Sequence, residues 1–499
     1  MFTDIHQKGI MNVYVSTRMI YDRRTLLMNK TKIICTLGPA SDNKETLIAL
    51  VNNGLNVARL NLSHGNQEYL LKNINLIKEV REELNLPIAI LMDTRGPEIR
   101  TKTFVDGGVD LFAGEEIRLC LGDFEGTAER FCITYDNLYK DVKIGSSILI
   151  DDGLIDVEVT GIEDTDIICV VKNGGRVKNR KGINVPGVDV KLPALTEADV
   201  NDIIFGIKEG IDYLAASFIR TKRDVEEIRT LLDQNGGEHV HIIAKIESQT
   251  GVDNIDEIIE VSNGVMVARG DLGVETPAEY IPQIQKKIIH KCNAAGIPVI
   301  TATQMLDSMI VNPRPTRAEV SDVANAILDG TDVIMLSGET AAGSYPVEAI
   351  RIMRKIAEAS EETADYEAVY KRITEVLDKS VTNAVSYATC TTAMNLNAAA
   401  IICPTYSGKT ARLISMFRPE APIIAPTINP ITQRQLNMLW GVVPIIMKAE
   451  NSSDILFYKS IEHAKNLGFA KNGDTIVITA GVPLNTKGNT NLMKVMEVE

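Results

Sequence analysis

The sequence predicts an α/β protein: a (β/α)8 TIM barrel with an inserted small β-barrel lid domain and a C-terminal doubly wound α/β domain. Three observations carry this reading. Up to about Glu361, eight short apolar, β-branched runs alternate with amphipathic stretches of helical period. Between Pro97 and Leu192 the helical period vanishes and glycine-punctuated β-like pieces replace it. After Glu361 a second, shorter strand–helix alternation begins.

The eight runs are Lys32–Gly38, Val57–Ser63, Ile88–Thr94, Tyr213–Phe218, His241–Glu247, Gly264–Gly270, Pro298–Met305 and Asp332–Glu339. They are near-continuously apolar, as strands covered on both faces must be. Helices are expected at Lys44–Asn53, Glu68–Leu84, Thr221–Leu232 and Tyr280–Ala295. The interval 97–192 offers strand pieces at Glu116–Leu121, Ser146–Val159 and Asp166–Val171. Inserted after the third barrel strand, it falls at the end of the barrel where active sites form and is placed to act as a lid. In the last part, runs at Ala398–Pro404, Pro422–Pro426, Val442–Met447 and Asp474–Ala480 read as strands of a separate domain, with Glu361–Ser380 as a helical connector. The resulting division is 1–27 as an N-terminal extension, 28–96 with 193–360 as the barrel, 97–192 as the insert and 361–499 as the last domain. The extension carries Arg18, Arg23 and Arg24 but no continuous apolar core. It reads as a frayed tail or a weak targeting segment, and Met28 is an alternative start.

With 499 residues the chain is long enough for two to four domains, and 45% hydrophobic and 24% charged residues are ordinary for a globular protein. The net charge of −14 argues against a nucleic-acid partner, and no window approaches a membrane span. The seven cysteines lack CxxC spacing and point to a reducing, cytoplasmic setting.

Polar residues fall at the same place on six of the predicted strands, their C-terminal ends: Arg59, Asn61 and Ser63; Asp93, Thr94 and Arg95; Lys245 and Glu247; Arg269 and Asp271; Thr301, Thr303 and Gln304; Ser337 and Glu339. A ring of this kind is hard to explain as core. Glu247 and Asp271, on neighbouring strands, suit a hard divalent ion, Mg2+ or Mn2+, better than zinc. Taken alone, these two strands fit a salt-bridged set with Lys245 and Arg269 equally well; the rest of the ring tilts the balance to a metal. Asn61, Ser63, Asp93 and Thr94 form a second oxygen cluster with one formal charge, which suits a monovalent cation. Lys245, Arg59 and Arg100 place positive charge on an acidic protein, as a phosphate-bearing substrate requires. Thr303 either holds a water for proton delivery or caps a turn. His239 and His241 read as a solvated strand start.

Seven blocks together resemble the pyruvate kinase family: Asn61-Leu-Ser-His-Gly65, Asp93-Thr-Arg-Gly-Pro-Glu-Ile-Arg100, Ile242-Ile-Ala-Lys-Ile-Glu247, Met266-Val-Ala-Arg-Gly-Asp-Leu-Gly273, Ala302-Thr-Gln-Met305, Asn312-Pro-Arg-Pro-Thr-Arg-Ala-Glu319 and Leu336-Ser-Gly-Glu-Thr340. The resemblance runs from about Lys30 to the end. It implies phosphoryl transfer from phosphoenolpyruvate to ADP, the last step of glycolysis. It also implies a role for each residue. Lys245 stabilises the phosphoryl group in flight, Glu247 and Asp271 hold Mg2+, and the backbone of Ala268, Arg269 and Gly270 cradles the substrate carboxylate. Arg59 contacts the phosphoryl group. Asn61, His64, Arg100 and Lys181 join Arg59 at the nucleotide. Asn61, Ser63, Asp93 and Thr94 hold K+, and Thr303 lies near the carbon that takes the proton. Glu98 resembles the glutamate of K+-dependent members, where K+-independent ones tend to have lysine. Arg95 stands where lysine is usual and Lys102 where glycine is common, neither in contact with metal or phosphoryl group.

In the last domain Thr405-Tyr-Ser-Gly-Lys-Thr410 sits between a strand and a helix but lacks the upstream glycine of a Walker loop, having Cys403 there. It is either an ordinary β–α turn or a phosphate site; the resemblance places a phosphorylated effector on Thr405, Ser407, Gly408, Lys409 and Thr410. It further implies a homotetramer with the Arg317-Ala-Glu319 region near a subunit contact. The rivals are a metal-dependent enolate lyase or aldolase, which needs no nucleotide lid, and a paralogue without turnover, which would be expected to lose Lys245, Glu247 or Asp271.

Overall fold

A computed structural model describes residues 29–499 apart from 64, 189, 377 and 484–489. The stretch before Met28 and the nucleotide-contact candidate His64 lie outside the described residues. Eight parallel strands close into a barrel: β1 Lys32–Thr36, β2 Leu55–Asn61, β3 Ala89–Asp93, β4 Tyr213–Ala216, β5 His241–Ile246, β6 Gly264–Ala268, β7 Val299–Ala302 and β8 Val333–Leu336. Closure is made by β1 against β8, with Lys32 opposite Val333. Alternate residues divide between two cores, as the two-residue period of a strand requires. Ile34, Val57, Leu91, Tyr213, Ile243, Met266, Ile300 and Met335 fill the barrel interior. Ile33, Ala58, Ile90, Leu214, Ile242 and Val265 pack outward, in one core with Leu50, Ile77, Ile228 and Ile288 of the surrounding helices.

The strands stop earlier than their apolar runs suggest. The sixth ends at Ala268 rather than Gly270, and Arg269–Glu275 turns into a helix. The seventh ends at Ala302, and Thr303 and Gln304 take positive φ values of 67° and 53°. The helical backbone from Arg269 and the left-handed backbone at Thr303 and Gln304 end the ladder at these points.

The insert after β3 forms a seven-stranded sheet and a two-stranded ribbon around a core of its own that includes Phe104, Phe131, Ile148 and Val157. The last domain has a five-stranded sheet in the order β11 Val442–Ile446, β10 Ile423–Thr427, β9 Ala400–Ile402, β12 Thr475–Ala480, β13 Leu492–Glu497. The fifth strand, antiparallel to β12, is absent from the sequence reading because this edge strand stays largely open to solvent and its run lacks apolar continuity. This domain seats on the N-terminal end of the barrel. Gly441 N donates to Lys30 O at 2.8 Å, Lys32 Nζ to Val442 O at 2.9 Å, and Arg418 pairs with Asp332 at 2.9 Å. Met438 enters the interior stack and closes it from below.

His241 departs from the solvated reading. It is half-buried, packs edge-on to Tyr213 at 5.7 Å, and burial with Arg412 and Arg229 nearby lowers its pKa to about 4. All seven cysteines are buried and free. Among the described residues no helix is long and apolar enough to cross a membrane.

Candidate active site

At the C-terminal end of the barrel the chain buries a cluster of charges. Lys245, on β5, directs its ammonium between two carboxylates, 3.0 Å from Asp93 Oδ1 and 2.9 Å from Glu247 Oε1. Its third donor goes to Ser217 Oγ at 2.7 Å, which uses all three N–H bonds of an ammonium. Arg59, on β2, donates from Nε to Asp93 Oδ2 at 2.7 Å and from Nη1 to Thr36 Oγ1 at 2.9 Å. Burial alone would raise the Asp93 carboxyl, but Arg59 and Lys245 outweigh it and hold its pKa below the usual range. The same two carboxylates keep Lys245 protonated against its burial, above the ordinary lysine value.

Glu247 and Asp271 behave differently. Burial, opposed by Lys245 and reinforced by Asp271, raises Glu247 to about 7. Asp271 is raised too, by burial first and then by Glu98 and Asp152, with Lys245 opposing. The two form an electron-rich pair with less positive charge than they need. Among the described residues no group of three His, Cys, Asp or Glu gathers as a metal cluster. A divalent ion here would rest on two carboxylates and complete its shell with substrate and water, as Mg2+ does. Oxygen donors, burial and raised carboxyl pKa values fit such an ion.

The sixth strand delivers only one of its two charged residues to this pair. Arg269 turns its guanidinium away, to Asp322 at 2.7 Å, to Thr303 O at 2.7 Å and to Ala302 O at 3.2 Å. Its charge braces the β7 turn and does not pair with Glu247 or Asp271, which corrects the salt-bridge reading for Arg269. Thr303 Oγ1 accepts from Gly270 N at 2.7 Å and donates to Ala302 O at 2.6 Å, so its hydroxyl serves the turn in this conformation. A β-branched residue at φ 67° is a strained backbone. Ala268 is buried, as the last residue of β6.

The oxygens of the second cluster lie on neighbouring strands, with Asn61 and Asp93 opposite each other in register. Asn61 Oδ1 accepts from Ser63 N at 3.0 Å, and Thr94 O accepts from Ser217 Oγ at 2.7 Å. Ser63 itself is exposed and beyond the strand end. With Asp93 already paired to two cations, little net negative charge is left there, which suits a monovalent ion and not a second divalent one.

Above this floor a cleft of about 290 Å³ separates the barrel from the insert, with Arg100, Lys181, Asp151, Asp152, Phe218 and Asp271 among its walls. Its basic residues are tethered: Arg100 Nε donates to Glu98 at 2.6 Å, Lys181 pairs with Asp151 at 2.7 Å, and Arg220 donates to Val190 O and Leu192 O. Glu339, at the end of the eighth run, is structural; its carboxylate accepts from Ser337 N and Leu306 N. In the last domain Thr405, Ser407, Lys409 and Thr410 line a pocket of about 70 Å³, and Gly408, at φ 82°, precedes the helix Lys409–Met416.

Three groups at the site escaped the sequence reading. Ser217 and the Phe218 N–H, which donates to Glu247 Oε2 at 2.5 Å, stand at the end of the fourth strand. That strand end matches the others in position, and its Ser-Phe pair was the available signal. Asp199 accepts from Arg95 N and Gly96 N while closing a capping box with Thr196, fixing the exit of β3 from a distant helix. Sequence carries no mark of that contact.

A barrel that presents a buried lysine, an arginine and a metal-ready carboxylate pair beneath a cleft lined by three further cations, Arg100, Lys181 and Arg220, defines a phosphotransferase. Residues 28–350 match the family model described as the pyruvate kinase barrel domain, and 383–496 that of the pyruvate kinase alpha/beta domain. The chain belongs to the pyruvate kinase family. It is 51% identical to a pyruvate kinase of Staphylococcus saprophyticus over 94% of this chain and 80% of that protein. It is 52% identical to one of Bacillus licheniformis over 94% and 81%. A crystal structure of a pyruvate kinase from Cryptosporidium parvum superposes with a TM-score of 0.91 at 39% identity, covering 96% of this chain and 97% of that one. The activity is that of this glycolytic phosphotransferase, with phosphoenolpyruvate and ADP or ATP as substrates and a divalent metal required.

Proposed function

We propose that phosphoryl transfer takes place at the cluster around Lys245, and that each residue there has a separable task. The observation that supports this is the ammonium of Lys245 held between Asp93 and Glu247 at 3.0 and 2.9 Å, protonated and aimed at the barrel mouth. Its positive charge stabilises the transferring group, whose equatorial oxygens carry the developing charge. To reach that group Lys245 exchanges one of its three bonds. The Glu247 bond is the one to yield, because that carboxylate is the metal ligand. Arg59, fixed by Asp93 and Thr36, neutralises a second phosphoryl oxygen. Glu247 and Asp271 would hold Mg2+ or Mn2+, which when bound would supply neutralisation of the substrate's negative charge. The backbone of Ala268, Arg269 and Gly270 receives the substrate carboxylate, Gly270 N releasing Thr303 as it does so. Thr303, freed from that bond, orders the water that protonates the enolate. Arg100 and Lys181, with Asn61 and His64, bind the nucleotide phosphates, and the insert closes over them to exclude water.

Asn61, Ser63, Asp93 and Thr94 hold K+. Glu98, paired with Arg100, leaves no ammonium there to replace the ion. Full turnover in sodium alone would refute this. The pocket at Thr405–Thr410 takes a phosphorylated metabolite, with Ser407 and Lys409 as its contacts, and Ser407→Ala with Lys409→Ala abolishes activation by such metabolites. The enzyme is a cytoplasmic homotetramer, with the Arg317–Glu319 region at a subunit contact; light scattering of the purified protein reads the assembly directly.

One experiment tests the central assignment. Steady-state turnover of phosphoenolpyruvate and ADP is compared between the wild type and Lys245→Met, each with the divalent metal in excess. A wild-type rate in the variant would remove Lys245 from the chemistry.

A further inference from the structure

Lys245 is held by three groups, and two of them are carboxylates with other work in the site. The third, Ser217, is neutral and buried, and it is fixed in turn: its hydroxyl donates to Thr94 O at 2.7 Å and its N–H to Thr94 Oγ1 at 3.0 Å. Ser217 directly follows β4, and the next residue, Phe218, holds Glu247 through its N–H despite a φ of 55°. One four-residue strand therefore sets the position of both the ammonium and a metal carboxylate.

The other end of β4 is gripped by the last domain. The buried Tyr213 hydroxyl donates to Gln435 O. The preceding Asp212 accepts from Arg434 Nε at 2.7 Å and from Ile90 N at 2.9 Å. Gln435 Nε2 donates to His239 O at 2.6 Å, on the approach to β5. The helix Pro430–Gln435 that supplies these groups also touches the Thr405–Thr410 loop, where Thr432 Oγ1 donates to Tyr406 O at 3.2 Å. A fully extended strand of this length spans about 13 Å and does not compress, since its ladder is bonded on both sides.

We propose that β4 is a strut through which the seating of the last domain positions the catalytic lysine: the Tyr213–Gln435 and Asp212–Arg434 contacts at its base set the place of Ser217, and Ser217 sets that of Lys245. Tyr213 and Ser217 act through Lys245 and are positioning residues. The inference rests on the reading that Lys245 stabilises the phosphoryl group.

A mutant cycle on the full-length enzyme tests it. Tyr213→Phe keeps the ring and removes only the hydroxyl, and Ser217→Ala removes the anchor at the far end. Each lowers kcat by between about 2-fold and 30-fold, the range in which such couplings fall, with a smaller change in KM for phosphoenolpyruvate. In the double variant the Tyr213→Phe loss shrinks to less than about 2-fold, because the anchor through which it acts is gone. A residue that merely supports the fold costs the same in both backgrounds. Arg434→Met loosens the joint from the other domain and repeats the cycle with Ser217→Ala if Tyr213→Phe does not fold, near-UV circular dichroism reporting the packing of each variant. Losses that multiply, or a wild-type kcat in Tyr213→Phe and Arg434→Met, overturn the strut. Lys245→Met separates the two readings: an inactive Lys245→Met beside an unaffected Tyr213→Phe removes the strut alone, whereas an active Lys245→Met removes the site reading beneath it.

Discussion

The two ends of the barrel use the same eight strands and both bury ionic clusters, yet their charges are balanced in opposite ways. At the base, Asp212 meets two arginines, Arg434 at 2.7 Å and Arg81 at 3.7 Å, and Arg418 meets Asp332. Every one of those carboxylates also accepts a backbone N–H, Ile90 for Asp212 and Val299 for Asp332. At the mouth, Arg59 and Lys245 face Asp93, Glu247 and Asp271, so one negative charge is in excess. The base is a joint with one positive charge in excess, and Arg81 Nη2, Arg418 Nε and Arg418 Nη1 are buried there without hydrogen-bond partners. The mouth is complete only with a cation, and that incompleteness is what makes it a site.

The largest effect separating the two ends is expected at Lys245. Lys245→Met leaves Asp93 and Glu247 without their shared cation and the phosphoryl group without its stabiliser, and turnover falls by about 10²-fold or more. Stopped-flow or coupled turnover measures it. Next in size is Asp271→Ala, which halves the carboxylate set of the metal. The Mg2+ concentration for half-maximal rate should rise by at least about 10-fold, since even outer-shell changes cost that much. An unaltered Mg2+ titration would make Asp271 a structural residue like Asp332.

A third effect follows from the sign of the Glu247 shift. Its pKa rises from 4.5 to about 7 on burial, so in the metal-free protein the folded state holds a proton that the unfolded chain releases. That contribution to stability is present below pH 4.5 and is lost as pH rises toward 7. A divalent ion competes with the same proton. Below pH 7 the apparent Mg2+ dissociation constant should therefore weaken by about 10-fold per pH unit, levelling off above that pH. Calorimetric titration at a series of pH values checks it; a flat profile across this range would mean that Glu247 is already ionised and the mouth better balanced than it looks.

The contrast between the ends also marks what sequence could carry. The barrel was legible because parallel strands covered on both faces are apolar throughout, and because polar residues recur where those runs stop. Lys245, Glu247, Asp93 and Arg59 were legible for the same reason. The partner of Arg269 was not: Asp322 lies on the helix Arg317–Asp329, 53 residues away, and nothing local links the two. Ser217 was missed because a lone hydroxyl after two alanines looks like a turn until Lys245 is seen to touch it. The joint at the base was invisible for a different reason. Several of its contacts run from side chains to carbonyl oxygens, such as those of Gln435, Val442 and His239, which have no letter in the sequence, and its ion pairs Asp212–Arg434 and Asp332–Arg418 join residues far apart along the chain.

The smallest catalytic effect is expected where the base is apolar. Met438 is fully buried and fills the lower layer of the interior stack beside Tyr213, but it carries none of the hydrogen bonds that grip β4. Met438→Ala opens a cavity under the barrel and should cost about 2–5 kcal/mol of stability, read by chemical unfolding. The Tyr213–Gln435 and Asp212–Arg434 bonds remain, so kcat well below the unfolding transition should stay within about 2-fold of wild type, as for independent sites. Packing and positioning are then separate duties of one surface: a filler that can be removed at the expense of stability, and a set of polar contacts that holds the lysine in place. A large loss of kcat in a folded Met438→Ala protein would merge the two, making the density of the interior stack, rather than the strand's hydrogen-bonded ends, the agent that locates Lys245.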